Sequence, residues 1–170
     1  MSIALNPPVQ NRNSLVRSIA VGGIIIGTLQ LIIQDFLVFS LLGKIPFISI
    51  FQYIASGALG NTAFEGGLAT ALLGVIFHYL ISFVLAAVFI MSAARIPLLR
   101  RNAIVGSILF GVAAWFVMDF IVTPLSAAPP LPAPTLFQLI ETIIDHALIV
   151  GLPLGILVWR NAKAEMKFKE

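Results

Sequence analysis

Long apolar stretches alternate with short polar or proline-rich breaks along the whole chain. The longest stretch, between Leu68 and Ala94, contains no Asp, Glu, Lys or Arg. It is long enough to cross a bilayer, because about 20 apolar residues at about 1.5 Å per residue span the hydrocarbon core. The pattern predicts an all-α polytopic membrane protein with four transmembrane helices, at about residues 14–42, 63–94, 102–123 and 135–160.

A short amphipathic segment separates the first two spans. Its apolar residues recur at helical spacing: Phe47, Ile50, Phe51 and Ile54. Ser49, Gln52 and Ser56 lie largely off this stripe. One apolar face on a short helix is typical of a helix that lies in the membrane interface, so we expect an interfacial helix at about residues 46–57.

The ends of the spans are marked by capping and proline signals. Thr62–Glu65 and Thr135–Gln138 match the capping-box pattern and predict where the second and fourth spans begin. Pro124 predicts the end of the third span, and Pro153 predicts a kink inside the fourth.

The distribution of charge predicts the orientation. Charged residues make up only 10% of the chain, against about 25% in soluble domains. Nine of the ten basic residues lie on segments that the four-span pattern places on one side: Arg12, Arg17, Arg95, Arg100, Arg101, Arg160, Lys163, Lys167 and Lys169. Only Lys44 lies on the other side. By the positive-inside rule, the N-terminal arm (1–13) and the basic tail (161–170) are expected in the cytoplasm of a bacterium, around an uncleaved first span in its inner membrane.

Several titratable or amide side chains fall inside the predicted spans. We expect them to form a polar bundle interior, because such groups are costly when they face lipid: His78, Asp119, Gln138, Glu141, Asp145 and His146. Four acids are also expected toward the outer side, where they are either hydrated structural groups or a vestibule that attracts cations or protons: Asp35, Glu65, Asp119 and Glu141.

The two histidines leave three interpretations open. His78 and His146 lie at similar depths on different spans. Each could bond a neighbouring backbone or hydroxyl group, both could relay protons, or the pair could hold a b-type haem. The chain has no cysteine and no catalytic, nucleotide or metal signature, so no cofactor is expected, with haem kept as the alternative. His78 is also expected to meet the Gln138–Glu141–Asp145 face directly.

Small residues predict where helices approach one another closely. Gly23 and Gly27 form a small-xxx-small pair, and Gly74 and Gly111 stand within the second and third spans. We expect all four glycines at helix contacts, and Val84 on the lipid-facing side.

Part of the chain, roughly residues 66–160, resembles the YagU-type bacterial inner-membrane proteins, a family of unknown function. The shared features are His78 inside a long span, the basic turn Arg95–Arg101, a glycine-rich third span that ends near Pro124, and Glu141 ahead of His146. The resemblance implies four spans in an inner membrane and no particular reaction.

Three classes of function therefore stay open. The first is handling of protons, ions or small solutes through the polar interior. The second is a structural or accessory subunit that forms a homo-oligomer or binds a membrane-protein partner through its glycine faces. The third is a haem- or quinone-binding redox subunit. The lipid bilayer is the one partner expected in each case, and nucleic acid is not expected.

Overall fold

The computed structural model describes residues 12–167, with side-chain burial for residues 12–164. Within this part of the chain every regular element is helical. Four helices are long and apolar enough to cross a membrane: α1 (Arg12–Leu42), α3 (Gly67–Arg95), α5 (Ala103–Leu125) and α6 (Leu136–Ala164). Two short helices connect them: α2 (Phe47–Leu59) and α4 (Pro97–Arg101). The predicted all-α architecture is confirmed. Most of the predicted arm, and the last residues of the tail, lie outside the described residues.

One capping prediction is right and the other is wrong. Thr135 Oγ1 accepts a hydrogen bond from Gln138 N (3.3 Å), and Gln138 Oε1 accepts one from Thr135 N (2.9 Å). Thr62 instead lies in a 3₁₀ turn, Gly60–Phe64, and its hydroxyl donates to Leu59 O at 2.8 Å. The Thr62 hydroxyl bonds a residue before it in the chain, so it does not cap a following helix. The α3 helix therefore begins four residues later than predicted, at Gly67.

Three basic groups gather at one end of the bundle, because successive long helices run in opposite directions: Arg12–Arg17, Arg95–Arg101 and Arg160–Lys163. Asn161 Nδ2 donates to Ser18 Oγ (3.0 Å) and ties α6 to α1 there. We call this part of the bundle the basic half. The opposite part, which holds Lys44 and the proline-rich loop 126–135, is the loop half.

The basic half has an apolar core. Gly22 of α1 faces Ile90 of α3 and Leu154 of α6, so three helices meet at one point. The buried side chains around it form one cluster: Ile26, Ala86, Phe89, Ile90, Ala93, Ala103, Val150, Leu154 and Val158. This core closes the basic half with apolar side chains.

All four predicted packing glycines lie at close helix contacts. Gly23 packs against the Phe83 ring and Gly27 against Tyr79, both of α3. Gly74 of α3 lies against the backbone of α2, and Gly111 of α5 lies against the backbone of α6. A side chain at either of the last two positions would collide with a carbonyl group, and backbones cannot yield as a flexible side chain can.

The α2 helix forms where it was predicted, but the face that it buries includes only part of the predicted apolar stripe. Ile50 and Phe51 of the apolar stripe are buried, whereas Phe47 is 37% exposed. Gln52 and Ser56, expected off the stripe, are buried as well. The reason is that α2 packs along α3, where Gln52 Nε2 donates to Gly67 O at 3.1 Å.

Three of the long helices contain π-helical stretches, in which a backbone N–H donates a hydrogen bond to the carbonyl oxygen five residues earlier. The stretches are Leu31–Leu42 of α1, Met118–Val122 of α5 and His146–Gly151 of α6. The last of them ends just before Pro153, where a kink was predicted. π-Helical turns are often found at functional sites, and each of these contains or adjoins an acidic residue.

Candidate functional site

The centre of the site is a buried pair, Asp35 of α1 and His78 of α3. Asp35 Oδ2 lies 3.7 Å from His78 Nδ1, and the two residues are 5% and 8% exposed. On its other side, His78 Nε2 lies 2.8 Å from Gly27 O. Asp35 Oδ2 has no hydrogen-bond partner among the described residues.

The hydrogen-bond geometry assigns the proton on the His78 ring. A carbonyl oxygen only accepts, so Nε2 must carry the proton that it donates to Gly27 O. In the neutral ring Nδ1 is then an acceptor, and it faces a carboxylate that also only accepts. The pair is favourable only when it holds one further proton, on His78 or on Asp35.

Two more carboxyls join this pair through amides of α1. The Gln34 amide lies between Glu141 and Asp145 of α6, and when its nitrogen faces them it donates to Asp145 Oδ1 and Glu141 Oε1, each at 3.0 Å. Gln30 Nε2 lies 3.4 Å from Asp145 Oδ2. We call these six residues the carboxyl cluster: Gln30, Gln34, Asp35, His78, Glu141 and Asp145.

His146 extends the polar region toward α5. Its Nδ1 lies 3.0 Å from Thr142 O and 3.5 Å from Asp145 Oδ2. Asp119 of α5 is close enough to His146 and to Tyr53 of α2 for electrostatic interaction. Burial raises the pKa of the Tyr53 phenol above its usual value, and the Asp119 carboxylate raises it further. The phenol therefore stays protonated at neutral pH, and its hydroxyl lies 3.4 Å from Pro129 O in the loop.

Two predicted interior residues lie elsewhere. Gln138 is exposed, because its side chain completes the cap at the start of α6. Asp119 is exposed on the side of α5, where it faces His146 rather than the cluster. Glu65, one of the four acids expected toward the outer side, is exposed at the loop end.

His78 was expected to contact the acids of α6 directly, but side chains of α1 lie between them. His78 contacts Asp35, while Gln30 and Gln34 make the contacts to α6, because α1 packs against both α3 and α6. Asp35 was expected toward the outer side, and Gln30 and Gln34 were not among the residues predicted for the polar interior. Gly23, Gly27, Gln30 and Gln34 follow one another at intervals of three or four residues, which was the signal that the two glutamines share one face of α1 with the glycines.

The donor groups do not suit a metal or a bis-histidine haem. Among the described residues, no three His, Asp or Glu side chains are arranged to hold a metal ion. Both ring nitrogens of His78 already face protein groups, Gly27 O and Asp35, so neither is directed at an open ligand position.

Comparisons with known proteins supply no relative from which a function could be inferred. The chain matches no protein-family model, no protein with a curated description and no solved structure.

Proposed function

We propose that this protein takes up and releases protons in a bacterial cytoplasmic membrane, with Asp35 and His78 as the exchanging pair. The observation that carries the proposal is the arrangement of His78. Its Nε2 is committed to Gly27 O, and its Nδ1 faces a buried carboxyl oxygen that has no hydrogen-bond partner among the described residues. The pair thus has a place for one more proton, which either partner can hold.

The charge of the cluster supports the same function. Asp35 and Glu141 lie within electrostatic reach of Asp145. The hydrogen-bond and ion-pair partners of these three carboxyls among the described residues are amides and histidines. Carboxylates inside a membrane are costly without a compensating charge. A bound proton supplies this compensation without the fixed ligand geometry that a metal ion requires.

The orientation of the Gln34 amide can change with the number of protons that the carboxyl cluster holds. Its amide nitrogen donates to Asp145 and Glu141 when both carboxyls are ionised. Its amide oxygen accepts when one of those carboxyls is protonated, because a protonated carboxyl becomes a donor. Rotation of this amide therefore accompanies gain or loss of a proton on α6.

The apolar core determines what kind of proton handling fits. The cluster lies in the loop half, and the basic half beyond it is filled by side chains such as Ile26 and Val150, both fully buried. This structure therefore suits exchange with the loop side, coupled to helix movement, rather than a permanently open channel. The YagU-type resemblance implies no reaction and adds nothing for or against this function.

The orientation is part of the proposal. The three basic groups at one end favour a cytoplasmic position for both termini and therefore an external position for the loop 126–135. Reporter tags after residue 170 and before residue 1 should both be cytoplasmic, and a tag within residues 126–134 should be external. A C-terminal tag outside the cell would contradict this orientation.

Proton uptake can be measured with the purified protein in liposomes that contain a pH-sensitive dye. Under an imposed potassium diffusion potential, we expect acidification that Asp35→Asn abolishes and that Glu65→Gln, at an exposed acid outside the cluster, leaves intact. Infrared difference spectra should show a carboxyl stretching band that changes with pH and is lost in Asp35→Asn.

The two measurements separate binding from transport. A carboxyl band without flux would make the protein a proton-binding subunit whose movement requires a partner. If Asp35→Asn behaves like the parent protein in both measurements, the proposal is wrong. The structural or accessory role, which the glycine contacts also suit, would then be favoured.

A further inference from the structure

An apolar groove lies on the side of the bundle, between α1, α2 and α3 in the loop half. Its volume is about 260 Å³. Its walls come from three elements and are formed by Leu31, Phe47, Ile48, Leu68, Leu72 and Val75. Leu68 and Leu72 are 67% and 56% exposed, so the groove opens outward rather than into the bundle. In a protein whose long helices cross a membrane, this face is surrounded by lipid.

The groove runs in the direction of an acyl chain. Leu68, Leu72 and Val75 lie in order along α3, and the distance from Leu68 to Val75 is about 10 Å at the α-helical rise. An acyl chain in the outer leaflet also lies along the helices, so it can follow these side chains from the surface inward.

A single positive charge lies at the same level as the outer end of the groove. Asp35 and His78 are in contact and mark one level in the bundle. Lys44 follows the end of α1 at Leu42 by two residues, and Leu68 lies in the first turn of α3, so both lie beyond this level, at the loop end of the bundle. Lys44 is exposed, and it is the one basic residue in the sequence between Arg17 and Arg95.

The backbone at Lys44 turns between α1 and α2. Its φ of 57° lies in the left-handed region, and Ile45 N, directly after it, donates to Phe39 O at 3.0 Å. Phe47 and Ile48, three and four residues later, are groove walls. The charge is therefore attached to the same short segment that lines the groove.

We propose that this groove is a binding site for an anionic phospholipid, with one acyl chain between α2 and α3 and the phosphate at Lys44. Charge complementarity selects the occupant, because a lone cation beside an apolar groove matches an anionic head group on an apolar chain. The site reaches the carboxyl cluster through Phe51, which forms part of the groove and whose ring centroid lies 6.1 Å from that of His78. It does not depend on the proposed proton function.

Native mass spectrometry of the full chain in a mild detergent tests this site. The protein is incubated with equal amounts of phosphatidylglycerol and phosphatidylcholine of identical acyl chains. We expect one retained lipid per chain and a preference of about fivefold for phosphatidylglycerol, the size expected for one lysine near a lipid phosphate.

Two kinds of variant separate the head-group contact from the groove. Lys44→Gln should reduce the preference to about one while one lipid is still retained. Leu72→Trp and Leu68→Trp each place an indole in the groove. Neither variant should retain phosphatidylglycerol or phosphatidylcholine. Leu80→Trp is the matched control, because Leu80 is 57% exposed on the same face of α3 but outside the groove.

Each alternative outcome overturns the proposal. Equal retention of both lipids by the parent protein would leave Lys44 without a role. Lipid retention by both groove-filling variants, with unchanged melting, would place the bound lipid elsewhere. A dimer peak without lipid, lost in Leu72→Trp, would show that a second copy of the chain covers the groove.

Discussion

The two halves of the bundle are stabilised in different ways. In the basic half, α1, α3 and α6 meet around Ile90 and Leu154, which belong to one cluster of buried apolar side chains. In the loop half, the same three helices meet around Asp35, His78 and Asp145, and one buried carboxyl oxygen has no hydrogen-bond partner within residues 12–167. The same helix pairs thus pack tightly at one end and hold titratable groups at the other.

The comparison indicates a division between support and function. A membrane bundle gains most of its stability from close packing, because lipid tails are as apolar as leucine and give no solvent-driven term between helices. The apolar core can therefore hold the helices while the loop half carries groups that stabilise less. Titratable groups in the basic half would stabilise the contacts between helices less than close apolar packing does.

The largest expected effect is the loss of a core side chain in the basic half. Leu154 is fully buried, and Leu154→Ala should lower the free energy of unfolding by about 2–5 kcal/mol, because the helices cannot collapse fully around the cavity. Denaturation in mixed micelles measures the change. Leu148→Ala is the control, since Leu148 is 47% exposed on the same helix. Equal losses at both positions would contradict the core assignment.

A somewhat smaller effect is expected where α2 packs on α3. Gly74→Leu should cost about 1–3 kcal/mol, because any side chain there meets the Phe51 carbonyl and forces α2 outward. Gly27→Leu, against the Tyr79 ring, should also destabilise. Val84→Leu, at a position that is 53% exposed, should be nearly silent in the same melting experiment. If all three variants melt alike, the close contacts do not limit stability.

The cluster itself should contribute less to stability than the packing does. His78→Ala removes the contacts to Gly27 and Asp35 and should cost about 0.6–2 kcal/mol, the range for hydrogen bonds between membrane helices. Tyr79→Phe is the matched control, because it removes one α1–α3 hydrogen bond, to Thr28 at 3.1 Å, but no titratable nitrogen. Both variants should melt similarly, and only His78→Ala should alter the pH-dependent carboxyl band. A band altered equally by Tyr79→Phe would show a structural role for His78.

Sequence alone predicted the features that repeat. Apolar runs identified the four spans, and local patterns predicted the Thr135 cap and the glycine contacts, although the same capping pattern failed at Thr62. The order of the helices around the bundle could not be predicted from the sequence. Counting residues along a span gives depth but not the neighbour that a residue faces, so Asp35 was expected at the surface and is buried beside His78.

The error at Gln138 has a local cause, and the π-helical stretch of α1 was not predicted at all. Gln138 fitted the acid stripe of α6, but a side chain that caps a helix cannot also enter the bundle, and the cap was predicted from the same residue. The π-helical stretch Leu31–Leu42 contains no proline or glycine to announce it. Nothing in the local residue pattern therefore predicts this stretch.

The smallest expected effect concerns the backbone of α1. Amide hydrogen exchange should be faster in Leu31–Leu42 than in residues 21–30, because π-helical turns are less regular and the stretch buries few apolar side chains. The α3 helix is the control, since it crosses the same two halves without a π-helical stretch. Its residues 68–77 and 85–94 should differ less. If α3 shows the same contrast as α1, depth in the micelle explains the exchange and the π-helical stretch adds no mobility to the loop half.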